Sequence, residues 1–218
     1  MICFLGGSHA ATHLKAAAIV KGNKVCEKPE NASVVFISED TPTDSLGERN
    51  LGPIKNLIYE ASKTSAQIVL TSQVPPGFTR SLCLQNIYHQ AETLRIKDAE
   101  HRSLNPEYIA VGGPEGICSD YVEYLLSFHC PILRMTWEEA EFSKIAVNMM
   151  LAAQVDYTNR LSEAAEKVGA KWENVVKALK LDGRIGPSAY LTPGRWQDSK
   201  HLLRDFVTLE AIRQSTTS

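Results

Sequence analysis

Short apolar runs alternate with amphipathic stretches over the first 135 or so residues. Ile2 to Leu5 is apolar and ends in Gly6-Gly7, and the helix-like stretch Ala10 to Val20 stops at Gly22-Asn23, which reads as strand, turn and helix. Val34-Val35-Phe36-Ile37, within Ser33 to Ser38, has the unbroken apolar character of a strand buried on both faces of a parallel sheet. Asp44 to Glu48 is polar and loop-like. Ile54, Leu57, Ile58 and Ala61 then recur at i, i+3, i+4 and i+7, predicting an amphipathic helix over Ile54 to Lys63. Ile68-Val69-Leu70 is a further strand, closed by Val74-Pro75-Pro76-Gly77, where two prolines forbid continuation. Thr79 to Gln90 reads as a helix, Arg102 to Leu104 as a short strand, Tyr121 to Phe128 as a helix and Pro131 to Met135 as a last strand. The alternation predicts an α/β fold class with a parallel sheet.

The pattern changes at Thr136. From Trp137 to about Val168 there is neither proline nor glycine, which predicts a helix of roughly thirty residues, about 45 Å long. A helix of that length needs a large packing surface, so a homodimer formed through it is expected. Trp172 to Leu179 is a second helix, Gly183 to Trp196 a loop rich in glycine and proline, and Leu202 to Arg213 a closing helix. Two domains are therefore expected, a Rossmann-like one over residues 1–136 and an all-α dimerisation domain over 137–218.

Composition narrows the class. The chain of 218 residues is 44% hydrophobic and 22% charged, the balance of an ordinary globular protein. A formal net charge of -2 gives no electrostatic case for nucleic acid or a membrane surface, and no apolar run is long enough to span a bilayer. The five cysteines are scattered without CxxC spacing, so reduced thiols, a cytoplasmic location and no metal centre are expected.

Two constellations carry chemistry. Gly6-Gly7-Ser8-His9-Ala10-Ala11, between strand and helix, follows the GxGxxA dinucleotide pattern with Gly6 first, Ala11 third and Ser8 in the middle. There a side chain is expected to crowd an approaching phosphate. The acid that would meet a ribose is Glu27 or Glu30, although no clear second strand precedes either. Lys144 and Asn148, four residues apart on the long helix, share a face and suit holding an oxygen that is oxidised or reduced. Asn159 lies on a similar face about 16 Å further along.

Asp40-Thr41-Pro42-Thr43, Ser72-Gln73-Val74-Pro75-Pro76-Gly77, Asn105-Pro106-Glu107-Tyr108, Ala140-Glu141 with Lys144 and Asn148, Asp182 with Arg184-Ile185-Gly186, and Pro193-Gly194 with Asp205 occur in one order. In that order and spacing the chain resembles the UDP-glucose/GDP-mannose dehydrogenase family. The resemblance implies NAD as cofactor, met by Gly6, Ser8, Ala11, Thr41 and Gln73, and a small, sugar-like substrate. It implies that Lys144 and Asn148 hold the reacting oxygen, that Glu107 manages the attacking water, and that Asp205 stands near the nucleophile. Arg184 and Asn159 would contact substrate, Arg184 by reaching toward a neighbouring subunit.

The departures are local. The family's glycine-rich loop, roughly PGxGYGGSCFPKD, here reads PGRWQDSKHLLRD from Pro193 to Asp205, with His201 at the cysteine position and Trp196, Gln197 and Asp198 in the wall. An imidazole cannot replace a thiolate in a thiohemiacetal. The segment between Gly6 and Asp40 is short, so the second and third strands of the nucleotide half, which carry the ribose acid, are expected to be largely missing. A single alcohol/carbonyl hydride transfer is therefore expected in place of the four-electron oxidation. The alternatives are an inactive dimeric scaffold or partner subunit, and a non-redox acid/base enzyme using His201 and Glu107.

Overall fold

The computed structural model describes residues 1–44 and 48–215; the loop read at Asp44 to Glu48 falls partly on 45–47, outside the described residues. The chain divides into two compact units, Met1–Lys144 and Ile145–Ser218, with the division falling inside the long helix.

The first unit is a seven-stranded sheet in the order β2-β1-β3-β4-β5-β6-β7. Its strands are β1 (Ile2–Leu5), β2 (Val25–Cys26), β3 (Val34–Ile37), β4 (Gln67–Leu70), β5 (Ile87–Gln90), β6 (Ile109–Gly112) and β7 (Ile132–Met135). The first five run parallel; β6 is antiparallel to β5, with His89 opposite Gly112, and β7 is parallel to β6. Helices α1 (His9–Val20), α2 (Gly52–Ser62), α3 (Phe78–Ser81), α4 (Ala99–Leu104) and α5 (Ser119–Leu126) connect them.

The apolar run of β3 behaves as its pattern dictates. Val34 and Phe36 enter one core cluster with Tyr121 and Tyr124, while Val35 and Ile37 enter the other with Ile54, Ile58, Ile68 and Leu70. Phe36 stacks on Phe4 at 4.8 Å between ring centroids and meets Tyr124 at 4.7 Å, so alternate strand residues build the two faces of the sheet.

Three local expectations are corrected. Residues 79–90 are not one helix: the helix stops at Ser81, and Ile87–Gln90 is β5. Gln90 of this strand has a tertiary partner, accepting a hydrogen bond from the Tyr121 hydroxyl at 3.0 Å. Arg102 to Leu104 belongs to α4, and the strand lies beyond it, at Ile109–Gly112. A second strand is also present. Val25–Cys26 has only two residues, but it pairs in parallel with Ile2 and Cys3 of β1, which a sequence window too short for periodicity conceals.

The long helix α6 (Trp137–Lys167) follows β7, and its first residues are locked to the sheet. The Trp137 indole N–H donates to the Ile87 carbonyl at 3.0 Å. A side chain at Gly112 would meet the Thr136 carbonyl oxygen at 2.3 Å, so glycine lets the helix start approach β6. The buried carboxylate of Glu141 accepts from the backbone N–H groups of Gly77 at 2.6 Å and Thr79 at 2.8 Å, tying the double-proline turn to the helix.

In the second unit the rest of α6 is joined by α7 (Trp172–Leu181) and α8 (Lys200–Ser215). The intervening loop is held along α6 by side chains. Gln154 accepts from the Tyr190 N–H at 2.9 Å, Thr158 donates to the Tyr190 carbonyl at 3.0 Å, and Asp156 accepts from the Trp196 indole at 2.8 Å. Among the described residues no helix is long and apolar enough to cross a membrane.

His89, fully buried on β5, has no hydrogen-bond partner at Nδ1. Burial pushes its pKa down from 6.5 to about 4, so the folded state keeps it neutral while the unfolded chain protonates. The sign follows: between pH 6.5 and 4 the unfolded state binds more protons, and stability falls as pH drops through that window, by about 3 kcal/mol in all. Urea unfolding at pH 7, 5.5 and 4.5 is expected to show this loss, and His89→Leu to flatten it; equal pH slopes in both proteins would sink the assignment.

Candidate functional site

Strand order alone locates a crevice. The order in which strands are added reverses at β1, which has β2 on one side and β3 on the other, and ligands of open α/β sheets bind beyond the carboxyl ends at such a switch point. The turn after β1 and the residues after β3 line it. Gly6 takes a φ of +107°, and a Cβ there would meet the Ser38 carbonyl oxygen at 2.1 Å, so the first glycine of the fingerprint is required.

Ser8 does not crowd this crevice. It is the N-cap of α1, its buried hydroxyl accepting the Ala11 N–H at 3.0 Å and donating to the Ser38 carbonyl at 2.9 Å. The side chain that does enter the crevice is Glu39. Its Oε2 accepts from the Gly7 N–H at 2.9 Å and its Oε1 from the Asp40 N–H at 3.0 Å. Thr41 is buried and donates to the Gln73 carbonyl at 3.1 Å, which joins the loops after β3 and β4. Glu27 stands directly after β2, where a ribose acid belongs, and pairs with Lys15 at 2.9 Å. The frame thus fits a dinucleotide at the glycine turn and at Glu27. The position of its phosphates holds a carboxylate.

Lys144 of α6 is half-buried, and its electrostatic partner in the first unit is Glu92, two residues beyond β5. Burial raises the Glu92 pKa; the Lys144 charge, a hydrogen bond from the Leu94 N–H and the charges of His9 and Arg102 oppose it. Glu92 and Arg102 line one small cavity with Leu14, Tyr108 and Tyr124. Glu107 has a different setting: its side chain is 72% exposed and bonds Arg102 at 3.2 Å. Glu107 is thus the exposed acid beside Arg102, and Glu92 is the acid whose pKa burial raises and the Lys144 charge opposes.

In the second unit Asn148 is buried and donates to Asp205 at 2.6 Å, and Asp205 is fully enclosed. His201 is exposed in the first turn of α8, one helical turn before Asp205 and on the same face. Asn159 gives both ends of its amide to Gly194, donating to the carbonyl at 2.8 Å and accepting from the N–H at 2.9 Å. That clasp holds the Pro193-Gly194 turn on α6. Arg184 is 90% exposed and pairs with Asp182 at 2.6 Å.

Two residues escaped the sequence reading, Glu92 and Glu39. For Glu92 the signal was Glu-Thr-Leu-Arg at the end of a strand, hidden by reading that strand as helix. Glu39 lay in the Ser38-Glu39-Asp40 tail of β3, at the end where ligands bind.

Residues 138–216 match the UDP-glucose/GDP-mannose dehydrogenase family, central domain. The chain is 29% identical over 176 residues to the UDP-glucose 6-dehydrogenase TuaD of Bacillus subtilis, covering 71% of this chain and 37% of that one. It is 30% identical over 182 residues to YwqF, a UDP-glucose 6-dehydrogenase of the same organism, covering 75% and 40%. In fold it resembles the UDP-glucose dehydrogenase of the hyperthermophilic archaeon Pyrobaculum islandicum, with a TM-score of 0.78 at 21% identity over 98% of this chain and 64% of that one. Matches to the curated relatives span between 20% and 46% of their lengths. These likenesses place residues 138–216 in the central domain of the UDP-glucose/GDP-mannose dehydrogenase family, and the sheet that precedes them shares the fold of a solved member.

Proposed function

We propose that this chain performs one alcohol/carbonyl hydride transfer on a small, sugar-like substrate with NAD, and stops short of the four-electron oxidation to an acid. The observation that carries this reading is the pair of supported polar groups on α6. The charge of Lys144 acts on the Glu92 carboxyl, whose pKa burial raises, and the Asn148 amide donates to buried Asp205 at 2.6 Å. In the proposal the ammonium of Lys144 holds the substrate oxygen as negative charge develops on it. In the family resemblance Asn148, one helical turn on, is the second donor to that oxygen. Glu92, with its pKa raised by burial, accepts the hydroxyl proton. Bound nicotinamide supplies a hydride acceptor. His201, at the cysteine position of the resemblance, offers no thiolate, so the carbonyl is the end product.

A second reading, an inactive scaffold or partner subunit, is favoured by one observation: Glu39 bonds the Gly7 N–H across the crevice where the dinucleotide phosphates belong. Calorimetric titration with NADH separates the two, since absence of binding at millimolar cofactor would leave only the second. The homodimer proposed through α6 rests on an exposed apolar stripe, Val147, Met150, Tyr157 and Leu161, spaced for one helix face. Light scattering is expected to give twice the chain mass, and a monomer mass would refute it.

Lys144→Ala is expected to lower turnover by about a hundredfold or more, read as nicotinamide absorbance against a panel of nucleotide sugars and hydroxy acids, with an unchanged circular dichroism spectrum. Unaltered turnover would remove Lys144 from the chemistry. Glu92→Gln tests the buried acid by stability. A raised pKa means that stability held in the protonated form below the unfolded pKa is lost as pH rises through the folded pKa. The variant should therefore have a higher Tm than wild type at pH 7, with the gap closing toward pH 4; a gap independent of pH would mean Glu92 is not desolvated.

A further inference from the structure

We propose that Glu39 is an internal occupant of the diphosphate position and sets how tightly this chain binds a dinucleotide. The proposal rests on the NAD reading above and deepens it by naming the residue that limits affinity.

The glycine turn of a dinucleotide site works by leaving backbone N–H groups unpaired and aimed at a phosphate. Here two of those donors are taken. Gly7 gives its N–H to Glu39 Oε2 at 2.9 Å, and Ala11 gives its own to Ser8 Oγ at 3.0 Å. Glu39 is not a loose surface acid that happens to lie nearby. Its own N–H donates to Ser72 Oγ at 2.8 Å, which pins its backbone to the loop after β4, and its second oxygen accepts the Asp40 N–H at 3.0 Å. The preceding residue is anchored too, since Ser38 Oγ lies 2.8 Å from Ser8 Oγ and the Ser38 carbonyl presses on Gly6. The carboxylate therefore spans the crevice from β3 to the turn after β1 and supplies a negative charge where a diphosphate would.

An incoming diphosphate meets competition for one donor and repulsion from one fixed charge, with Asp40 beside it as a second acid. The basic residue nearest along α1, Lys15, is already paired with Glu27. Glu39 is only half-buried, so its side chain can swing outward once another anion takes the Gly7 N–H. A charge-assisted hydrogen bond of this kind corresponds to about tenfold or more in affinity.

The test uses the whole chain, with Glu39→Ala and Glu39→Gln. Backbone NMR follows the Gly7 amide during titration with inorganic pyrophosphate, and calorimetry follows NADH. In wild type the Gly7 resonance should stay still until high pyrophosphate. In Glu39→Ala it should shift at once on loss of the carboxylate, then respond to pyrophosphate, and NADH should bind at least tenfold tighter than to wild type. Glu39→Gln keeps an acceptor without charge and should fall between, which also guards against a misfolded alanine variant. A Gly7 resonance indifferent to both substitutions would overturn the proposal, as would equal pyrophosphate and NADH affinities in all three proteins. Pyrophosphate binding gained without NADH binding upholds Glu39 in this role and removes the NAD reading instead.

Discussion

A buried carboxylate fixes the frame on which the rest of this site hangs. Glu141 carries a negative charge into the interior, and burial raises its pKa. The cost is offset by two backbone N–H groups from the turn that the double proline forces after β4. That exchange binds the end of a central strand to one position on α6. The Trp137 indole on the Ile87 carbonyl and the close approach allowed by Gly112 fix the helix start from two other sides. Three residues beyond Glu141 stands Lys144, so the lysine inherits its place from the clamp.

The same logic of opposed strand ends explains the acids. The carboxyl ends of β3, β4 and β5 carry Glu39, Ser72-Gln73 and Glu92, one behind another along the sheet. Glu92 is desolvated and offset by the Lys144 charge, an arrangement suited to moving a proton. Glu39 is held by amides that a phosphate would otherwise use. Strand ends two apart in one sheet thus hold their acids differently, one desolvated and one bonded to backbone amides.

The second unit is organised by α6 as a rail. Gln154, Asp156, Thr158 and Asn159 each secure a point on the loop that precedes α8, which sets where that helix begins. Trp196, which stands where the family's loop is glycine-rich, packs on Phe206 at 5.4 Å and gives its indole N–H to Asp156. Trp196 is therefore a packing anchor of this loop, and His201 lies exposed in the first turn of α8.

The sequence by itself determined β1, β3, β4, α2 and α6. Their apolar period or unbroken apolar run leaves one way to bury them, and prolines or glycines mark their ends. It also displayed Lys144, Asn148 and Asp205, because helix spacing and motif order are one-dimensional properties. Only the tertiary structure decided β5 and β2. Tyr88, His89 and Gln90 read as non-strand until Tyr121 and the core receive them, and two residues have no period at all. Only it separated Glu92 from Glu107, and only it turned Ser8 inward and Glu39 across the crevice. Those outcomes depend on which backbone N–H or charge lies within about 3 Å in space, and residues thirty or fifty apart in the chain carry no local trace of that distance.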